Sequence, residues 1–185
     1  MVAGGNRWWG FHQLSDQWAT RLVEHAGVGA GDLVLDIGAG TGTITAPLLG
    51  IGARVVAIEL HPARLAALRE RFDVDSVRIV RADATDLRLP RRPFHVVANP
   101  PWATTTAVLR RLVHPGSRLL RADLVVPRHV ADRWVSGRAP GARRWQSTYT
   151  ATPTGIVPRS AFRPNAPAAA VILTVSRRER DQRPR

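Results

Sequence analysis

Residues 36–42 read DIGAGTG and follow a short apolar run, DLVLDIG at 32–38. Such a run is typical of a strand that is buried on both faces of a parallel sheet. Glycines at positions 38, 40 and 42 permit a sharp turn and a close approach of the backbone to a ligand. The segment that follows, GTITAPLLGIG, has helical spacing. A strand, a glycine loop and a helix in this order predict either a tight structural turn or a ligand-binding loop.

The alternation of strand-like and helix-like segments continues along the chain. Short apolar runs predict further strands at 53–60, 76–83, 94–99, 118–127 and 168–176, with another late strand in RWQSTYTA (144–151). Apolar spacing predicts helices at 14–28, at 63–72 after Pro62, at 104–113 and at 128–137, with Ser15 and Asp16 as candidate caps of the first. Strand followed by helix, repeated, indicates an α/β fold built on a parallel sheet with right-handed crossovers.

The composition indicates a single, well-packed domain. The chain has 185 residues, of which 44% are hydrophobic, and this is enough for one substantial core. It has no apolar run of about 18 residues, the length that a membrane span needs, and no apolar stretch of signal-peptide length near its start. Without cysteine it has no disulfide and no thiolate metal site. We therefore expect a cytoplasmic protein that works without a membrane or a metal.

The charge is unevenly distributed along the chain. The net charge is +13, and all 27 basic residues are arginine. Residues 1–100 hold 11 arginines and 10 acidic residues, whereas residues 101–185 hold 16 arginines and 4 acidic residues. A basic surface that is merely solvated is one explanation. A polyanionic partner such as nucleic acid, bound mainly by the second half, is the explanation that the asymmetry favours.

Acidic residues near the glycine loop indicate which ligand it binds. The dinucleotide fingerprint needs glycine where this chain has Thr43, and the carboxylate of Asp36 would repel a pyrophosphate. A carboxylate suits the cationic amino-acid end of S-adenosylmethionine. Glu59, at the end of the next strand, is either a solvated glutamate or an acceptor for ribose hydroxyls. Asp83, after the third strand, is either a helix cap or an acceptor for the adenine amino group.

The fourth predicted strand ends in Asn-Pro-Pro-Trp at 99–102. Two prolines cannot continue a sheet ladder and hold the backbone rigid. The side-chain oxygen of Asn99 and the carbonyl oxygen of Pro100 would then converge on one exocyclic amino group and pose it for methyl transfer. Trp102 offers a flat face on which an extruded or unpaired base can stack. The alternative is an ordinary Asn-Pro turn followed by a core tryptophan.

These motifs, in this order, resemble those of the rRNA adenine-N6 methyltransferases, and within them the erythromycin-resistance (Erm) methylases. The resemblance spans about residues 7–177. It rests on the segments WGFHQLSDQW, LDIGAGTGTITAPLL, VVAIELHPARLAALRERF, RADATDLRLP, VVANPPW and PRSAFRPNAPAAAVILTV. It implies a Rossmann-like class I methyltransferase fold, with a seven-stranded, mostly parallel sheet and helices on both faces. It also implies transfer of a methyl group from S-adenosylmethionine to N6 of an adenine in 23S rRNA, with resistance to macrolide-type antibiotics.

The resemblance also implies roles for individual residues. It implies cofactor contacts for His12, Leu14, Asp36, Gly38, Gly40, Glu59, Asp83, Ala84 and Asn99. Asn99, Pro100 and Trp102 would be catalytic, and Phe162 would be a second aromatic residue that borders the base pocket with Trp102. Two positions depart from the family pattern, because His12 stands where asparagine is usual and Trp102 stands where tyrosine or phenylalanine is usual.

The chain resembles short family members that have no helical C-terminal domain. We therefore expect an N-terminal capping segment at 1–30, a catalytic domain at 31–177 and a basic, disordered tail at 178–185, in a monomer. The grip on RNA would then come from arginines around the active-site rim, although each alone could be a solvated surface charge. The candidates are Arg128, Arg133, Arg138, Arg143, Arg144, Arg159 and Arg163.

Three other functions remain open at the level of the sequence. The housekeeping dimethylase of small-subunit rRNA shares the core motifs but normally carries an extra domain. A protein-glutamine methylase also uses Asn-Pro-Pro-aromatic, but its function would leave the basic second half unexplained. A non-catalytic RNA-binding or ribosome-assembly module could retain the fold, although a pure binder has no need for the converging acceptors of Asn99 and Pro100.

Overall fold

The structure is a computed structural model that describes residues 12–178. Within this range the strands are β1 (Gln13–Leu14), β2 (Leu33–Ile37), β3 (Arg54–Glu59), β4 (Arg78–Arg81), β5 (Phe94–Ala98), β6 (Leu119–Pro127), β7 (Tyr149–Val157), β8 (Phe162–Arg163) and β9 (Ala170–Arg177). The helices are α1 (Asp16–Ala26), α2 (Thr45–Gly50), α3 (Pro62–Arg71), α4 (Thr105–Leu112), α5 (Arg128–Val135) and α6 (Ala142–Trp145). Short 3₁₀ turns lie at Trp102–Thr104 and Arg159–Ala161.

Seven of the strands form one sheet in the order β4-β3-β2-β5-β6-β9-β7. The first five of these run parallel to one another, and β9 is antiparallel to both of its neighbours. This arrangement confirms the predicted seven-stranded, mostly parallel sheet. The parallel strands all begin along one side of the sheet, which we call the amino edge, and end along the opposite side, which we call the carboxyl edge. These edges run across the strand ends and differ from the edge strands β4 and β7.

Two hydrophobic cores cover the two faces of the sheet. Successive residues of a strand point to opposite faces, so Leu33, Leu35 and Ile37 of β2 lie in one core with α4, α5 and α6. Val34 lies in the other core with α1, α2 and the buried side of α3. All five residues of β2 are buried, as expected for a central strand with helices on both faces.

The connections between strands lie alternately at the carboxyl edge and at the amino edge of the sheet. The loops after β2, β3 and β5 lie at the carboxyl edge because those strands are parallel. Helix α5 then carries the chain from the end of β6 back towards the amino edge, where α6 and the start of β7 lie. Which edge a residue occupies therefore depends on the topology, not on its distance along the sequence.

A two-stranded ribbon, β1 with β8, lies outside the main sheet and was not predicted. Gln13 pairs with Arg163 and Leu14 with Phe162 in antiparallel register. The backbone N–H of Ser15 continues the contact by donating to the carbonyl oxygen of Ala161 at 2.8 Å. The ribbon thus joins the start of the described chain to the segment before β9.

Two local predictions need correction or qualification. The first half of RWQSTYTA is not a strand: Trp145 ends α6 and stacks on Trp134 with a centroid separation of 4.9 Å. Strand β7 begins only at Tyr149 and continues to Val157, past a register shift at Pro153, which an edge strand tolerates. Ser15 occupies the N-cap position of α1, but its side chain makes no capping hydrogen bond.

The predicted division into segments at 30 and 177 stays a prediction. Residues 16–26 form α1, which packs into the core of the sheet through Ala19, Leu22 and Val23. The predicted tail at 178–185 lies, apart from Arg178, outside the described residues. No helix in the described part of the chain is long and apolar enough to cross a membrane.

Asp123 of β6 is a buried carboxylate that ties three elements together. Its side chain is 1% exposed and accepts hydrogen bonds from Arg121 Nε at 2.7 Å and Nη2 at 3.0 Å. The hydroxyl of Thr174 in β9 donates to it at 2.6 Å, and His25 Nε2 of α1 lies 3.5 Å away. Arg121 also donates to the carbonyl oxygen of His25, so the cluster links α1 to the antiparallel part of the sheet.

We predict that Asp123→Asn lowers the free energy of unfolding by about 2–3 kcal/mol, because the buried ion pair loses its negative charge. The loss is smaller than for a fully buried pair because Arg121 is partly exposed. Denaturant titration measures this. Asp132→Asn, on the exposed side of α5, is the matched control and should stay within about 0.5 kcal/mol of the parent. Equal losses in the two variants would contradict the role given to the Asp123 cluster.

Candidate active site

A pocket lies at the carboxyl edge, where the loops after β2, β3 and β5 meet β1. It is lined by His12, Gln13, Leu14, Gly38, Ala39, Gly40, Thr43, Ile44, Glu59, Arg64, Asn99, Pro100, Pro101 and Trp102. The structure thus brings together most of the residues for which the sequence predicted cofactor or substrate contacts. Asp36, Asp83, Ala84 and Phe162 are not among the lining residues.

The N–H groups of the glycine loop point back at β3. Those of Gly38 and Ala39 both donate to the carbonyl oxygen of Ile58, at 2.8 and 3.0 Å. The N–H of Gly40 donates to Glu59 Oε2 at 3.0 Å. These groups are therefore not available to a phosphate, which agrees with the argument from the sequence against a dinucleotide. The loop instead faces the pocket with the backbone atoms of Gly38 and Gly40, which carry no side chain.

Gly38 also holds the glycine loop against the Asn-Pro-Pro-Trp loop. Its φ is +76°, a left-handed conformation that favours glycine. A Cβ atom at this position would lie 3.0 Å from Pro101 Cδ and 3.5 Å from Pro100 Cα. Only a residue without a side chain permits this contact between the two loops.

Glu59 is buried and fixes the turn after β3. Its Oε1 accepts from the N–H groups of Leu60 and His61, both at 2.8 Å, while Oε2 accepts from Gly40. Arg64 Nη1, in the first turn of α3, lies 3.8 Å from Oε1. Burial lowers the pKa of Arg64, and the charge of Glu59 partly opposes that shift. A carboxylate has about four acceptor positions, so Glu59 keeps capacity for a further donor.

Asp36 lies beneath the glycine loop and is not exposed at all. Its Oδ2 accepts from the hydroxyl of Thr45 at 2.7 Å, whereas the buried Oδ1 has no hydrogen-bond partner within residues 12–178. Burial raises the pKa of Asp36 to about 7, and the nearby Glu59 carboxylate adds to the rise, although the Thr45 hydrogen bond opposes it. Asp36 therefore lies under the glycine loop and outside the pocket lining, and its contact with the cationic end of the cofactor stays a prediction.

Asn99 stands at the end of β5 with its side-chain amide held from one side. Its Nδ2 donates to the carbonyl oxygen of His12 at 2.7 Å, while its buried Oδ1 has no hydrogen-bond partner in the described part of the chain. The carbonyl oxygen of Pro101 is occupied, because the N–H and hydroxyl of Thr104 both donate to it. No described residue donates to the carbonyl oxygen of Pro100. Two acceptors without protein donors thus come from adjacent residues.

Aromatic rings stand beside these acceptors. Trp102 is half-buried, and its ring lies 5.6 Å from that of His12 at a tilt of 44°. Phe162 packs edge-on against Trp102, with a centroid distance of 5.9 Å and an angle of 88°. Phe162 is itself completely buried, so it supports Trp102 from behind. Its predicted place at the border of the base pocket is therefore indirect.

Asp83 and Ala84 follow the end of β4, at the carboxyl edge but outside the pocket lining. Asp83 is exposed, and its Oδ1 accepts from the N–H and the hydroxyl of Thr85 at 2.8 and 2.7 Å. These hydrogen bonds lower its pKa, the backbone donor most strongly. They close a turn, not a helix, so the alternative of a helix cap is wrong. The adenine contact of both residues stays a prediction.

The seven arginines predicted to grip RNA do not form one rim. Arg128, at the start of α5, and Arg159 and Arg163, beside the ribbon, lie at the carboxyl edge. Arg133 lies in the last turn of α5. The remaining three follow α5 to the opposite edge of the sheet, where they cannot surround the pocket; they are Arg138, Arg143 and Arg144.

Sequence reasoning missed two pocket residues that make specific contacts. Gln13 Nε2 donates to the hydroxyl of Thr41 at 2.9 Å and to that of Thr43, so it ties β1 to the glycine loop. Arg64 lies one turn after Glu59. A signal for Arg64 was present, because a helix that starts at the carboxyl edge places its first turn beside the crevice. The described residues contain no group of three histidine, aspartate or glutamate side chains that could hold a metal ion.

We predict that Asp36→Asn changes the pH dependence of stability in the absence of ligand. Between about pH 4 and 7 the folded parent keeps a proton that the unfolded chain has released, so its stability falls as the pH rises through this window. The asparagine variant lacks this term, and relative to it the parent should lose about 3 kcal/mol between pH 5 and 8. Urea unfolding at each pH measures the difference; parallel curves for the two proteins would refute the assignment.

Comparison with known proteins places the chain in a family. The profile described as ribosomal RNA adenine dimethylase matches residues 5–184. The mycinamicin-resistance protein MyrB of Micromonospora griseorubida is 33% identical over 181 residues, which cover 96% of this chain and 57% of that protein. Ribosomal RNA small subunit methyltransferase A of Nocardia farcinica is 37% identical over 132 residues, which cover 66% of this chain and 44% of that protein. The chain thus spans about half the length of these curated relatives.

Solved structures agree with the fold. The crystal structure of the 23S rRNA methyltransferase ErmE superposes with a TM-score of 0.78, at 23% identity, over 89% of this chain and 69% of that one. This likeness confirms the predicted class I methyltransferase fold. The chain therefore belongs to the ribosomal RNA adenine dimethylase family, whose members are S-adenosylmethionine-dependent methyltransferases.

Proposed function

We propose that this protein transfers a methyl group from S-adenosylmethionine to the N6 amino group of an adenine in ribosomal RNA. The observation that carries the proposal is the pair of acceptors at the end of β5. Asn99 Oδ1 and the Pro100 carbonyl oxygen have no donor among the described residues and lie beside Trp102. An exocyclic amino group has two hydrogens, which is what two acceptors from adjacent residues can bind.

Positioning and electrostatics supply the catalysis in this proposal. The two acceptors hold the N6 hydrogens and stabilise the positive charge that develops on the nitrogen as it forms its new bond to carbon. The cofactor, when bound, supplies an electrophilic methyl group whose bond to sulfur breaks in the same step. Neither an amide oxygen nor a peptide carbonyl is a strong base, so the surplus proton leaves the methylated nitrogen to water.

The pocket residues divide between the cofactor and the base. Glu59 retains acceptor capacity for a ribose hydroxyl of the cofactor, and Gly38, which lines the pocket beside it, would lie under the methionine part. Trp102, supported by Phe162, presents a ring on which an extruded adenine stacks. Glu59 and Trp102 thus serve chemically different portions of the two reactants.

The large-subunit rRNA is the favoured target, with resistance to macrolides as its consequence. The resistance protein MyrB matches over 96% of this chain. Two of the segments that carry the resemblance beyond NPPW, WGFHQLSDQW and PRSAFRP, supply the two strands of the ribbon. That ribbon joins the pocket wall at Leu14 to Phe162 behind Trp102, so these segments lie where the base would bind.

Small-subunit rRNA is the second candidate, because the Nocardia farcinica small-subunit methyltransferase shares 37% identity with this chain. The experiment that separates the two is methylation of purified large- and small-subunit rRNAs with tritiated S-adenosylmethionine, followed by mapping of the label. Label on an adenine of the large-subunit rRNA supports the favoured target. Label only on the small-subunit rRNA replaces it, and no label on either RNA refutes the proposed activity.

We predict that Asn99→Ala folds and binds S-adenosylmethionine but transfers methyl groups about 10²–10³ times more slowly, since it loses one of the two acceptors. Single-turnover methylation of rRNA measures the rate. Asn165→Ala, at an exposed position in the loop before β9, is the control and should retain the parental rate. An Asn99→Ala rate within about threefold of the parent would remove Asn99 from the mechanism.

A further inference from the structure

The amino edge of the sheet carries a concave surface rich in arginine, opposite the pocket. Two open hollows meet there and share the loop from His114 to Arg118, between α4 and β6. We call their combined lining the amino-edge surface. Its arginines come from four separate parts of the chain; they are Arg91, Arg111, Arg118, Arg144, Arg177 and Arg178. No aspartate or glutamate of the described chain lines either hollow.

The charges of this surface are not neutralised within the described residues. The ion pairs among the described residues have only Arg64, Arg121 and His25 as cations. All three lie outside the amino-edge surface. Between residues 101 and 178 the chain has just two carboxylates. Asp123 is buried against Arg121, and Asp132 lies on α5 away from both hollows. Among the described residues, the arginines of the amino-edge surface therefore have no carboxylate that neutralises them.

Neutral acceptors hold some of these guanidinium groups in fixed orientations. Arg177 donates to the carbonyl oxygens of Leu119 and Ser117 and to the hydroxyl of Tyr149, at 3.0, 2.6 and 2.7 Å. Arg178 Nε donates to the carbonyl oxygen of Gln146 at 2.8 Å, and its terminal nitrogens make no hydrogen bond to another described residue. A guanidinium that is oriented by carbonyl groups keeps its full charge and loses less conformational entropy when it binds an anion.

We propose that the amino-edge surface is a second RNA-binding surface that holds the phosphate backbone of a duplex remote from the target adenine. The identity of the partner rests on the proposed function, whereas the surface itself rests on the arginines. Planar guanidinium groups on a concave surface suit phosphates, which recur at regular spacing along a duplex. Strand β6 has nine residues, so the two edges lie roughly 30 Å apart, about one helical turn of a nucleic-acid duplex.

The test measures duplex binding directly and needs no methyl transfer. A fluorescent 20-base-pair RNA duplex is titrated by anisotropy across a salt series. The test variant combines Arg118→Gln, Arg144→Gln and Arg178→Gln. The matched control combines Arg21→Gln, Arg69→Gln and Arg81→Gln, three exposed arginines on α1, α3 and β4, none of them at the start of a strand. The test variant should bind at least tenfold more weakly at low salt. Its plot of log K against log salt should flatten by about 2–3 units, since each lost phosphate contact contributes about 0.7–0.9.

Several outcomes overturn the proposal. A parental slope in the test variant, or equal losses in the test and control variants, would show that the amino-edge surface does not bind the duplex. Displacement of the duplex by poly-glutamate at equal charge concentration would favour an acidic protein as the partner. If the triple variant does not fold, Arg144→Gln alone replaces it. The Arg144 side chain makes no hydrogen bond within the described residues, so this variant should fold. It should flatten the slope by about 0.7–0.9, the contribution of one phosphate contact. Absence of methyl transfer by the parent would refute the proposed function and leave the binding result intact.

Discussion

The hydrogen bond from Asn99 Nδ2 to the carbonyl oxygen of His12 determines what the rest of the pocket can do. An amide side chain can present either its donor or its acceptor end, and this bond consumes the donor end. The acceptor end, Oδ1, is thereby left without a donor among the described residues. Because the partner is a backbone carbonyl, residue 12 need not be asparagine for this contact, so the family's usual side chain can be replaced by histidine without losing the orientation of Asn99.

The glycine loop achieves rigidity by a different route. Its N–H groups bond to the end of β3, and Gly38 packs without a side chain against Pro101. The three loops at the carboxyl edge are thus fixed to one another as well as to their own strands. Glu59 is central to this arrangement, because one carboxylate bonds both the glycine loop and the turn that starts α3.

The sequence predicted those features that local chemistry determines. Apolar runs and helical spacing gave the main sheet, and the glycines, Glu59 and Asn99 were correctly expected at one pocket. The ribbon escaped prediction because strands of two residues have no periodicity to recognise. The arginines were misplaced for a different reason: Arg144 follows Arg128 closely in sequence, but α5 separates the two by the height of the sheet. Phe162 looked like a pocket residue and is instead the buried support of Trp102.

The ribbon has a consequence for how the protein assembles. It joins Gln13 to Arg163, and closing so long a segment of chain costs much conformational entropy for only two residue pairs in return. A two-stranded ribbon of this length has little stability of its own. It therefore forms after the main sheet during folding and opens before it in native-state hydrogen exchange. We therefore expect the wall beside Trp102 to be the least protected part of the site, and opening of the ribbon also releases the hydrogen bonds from Gln13 to the glycine loop.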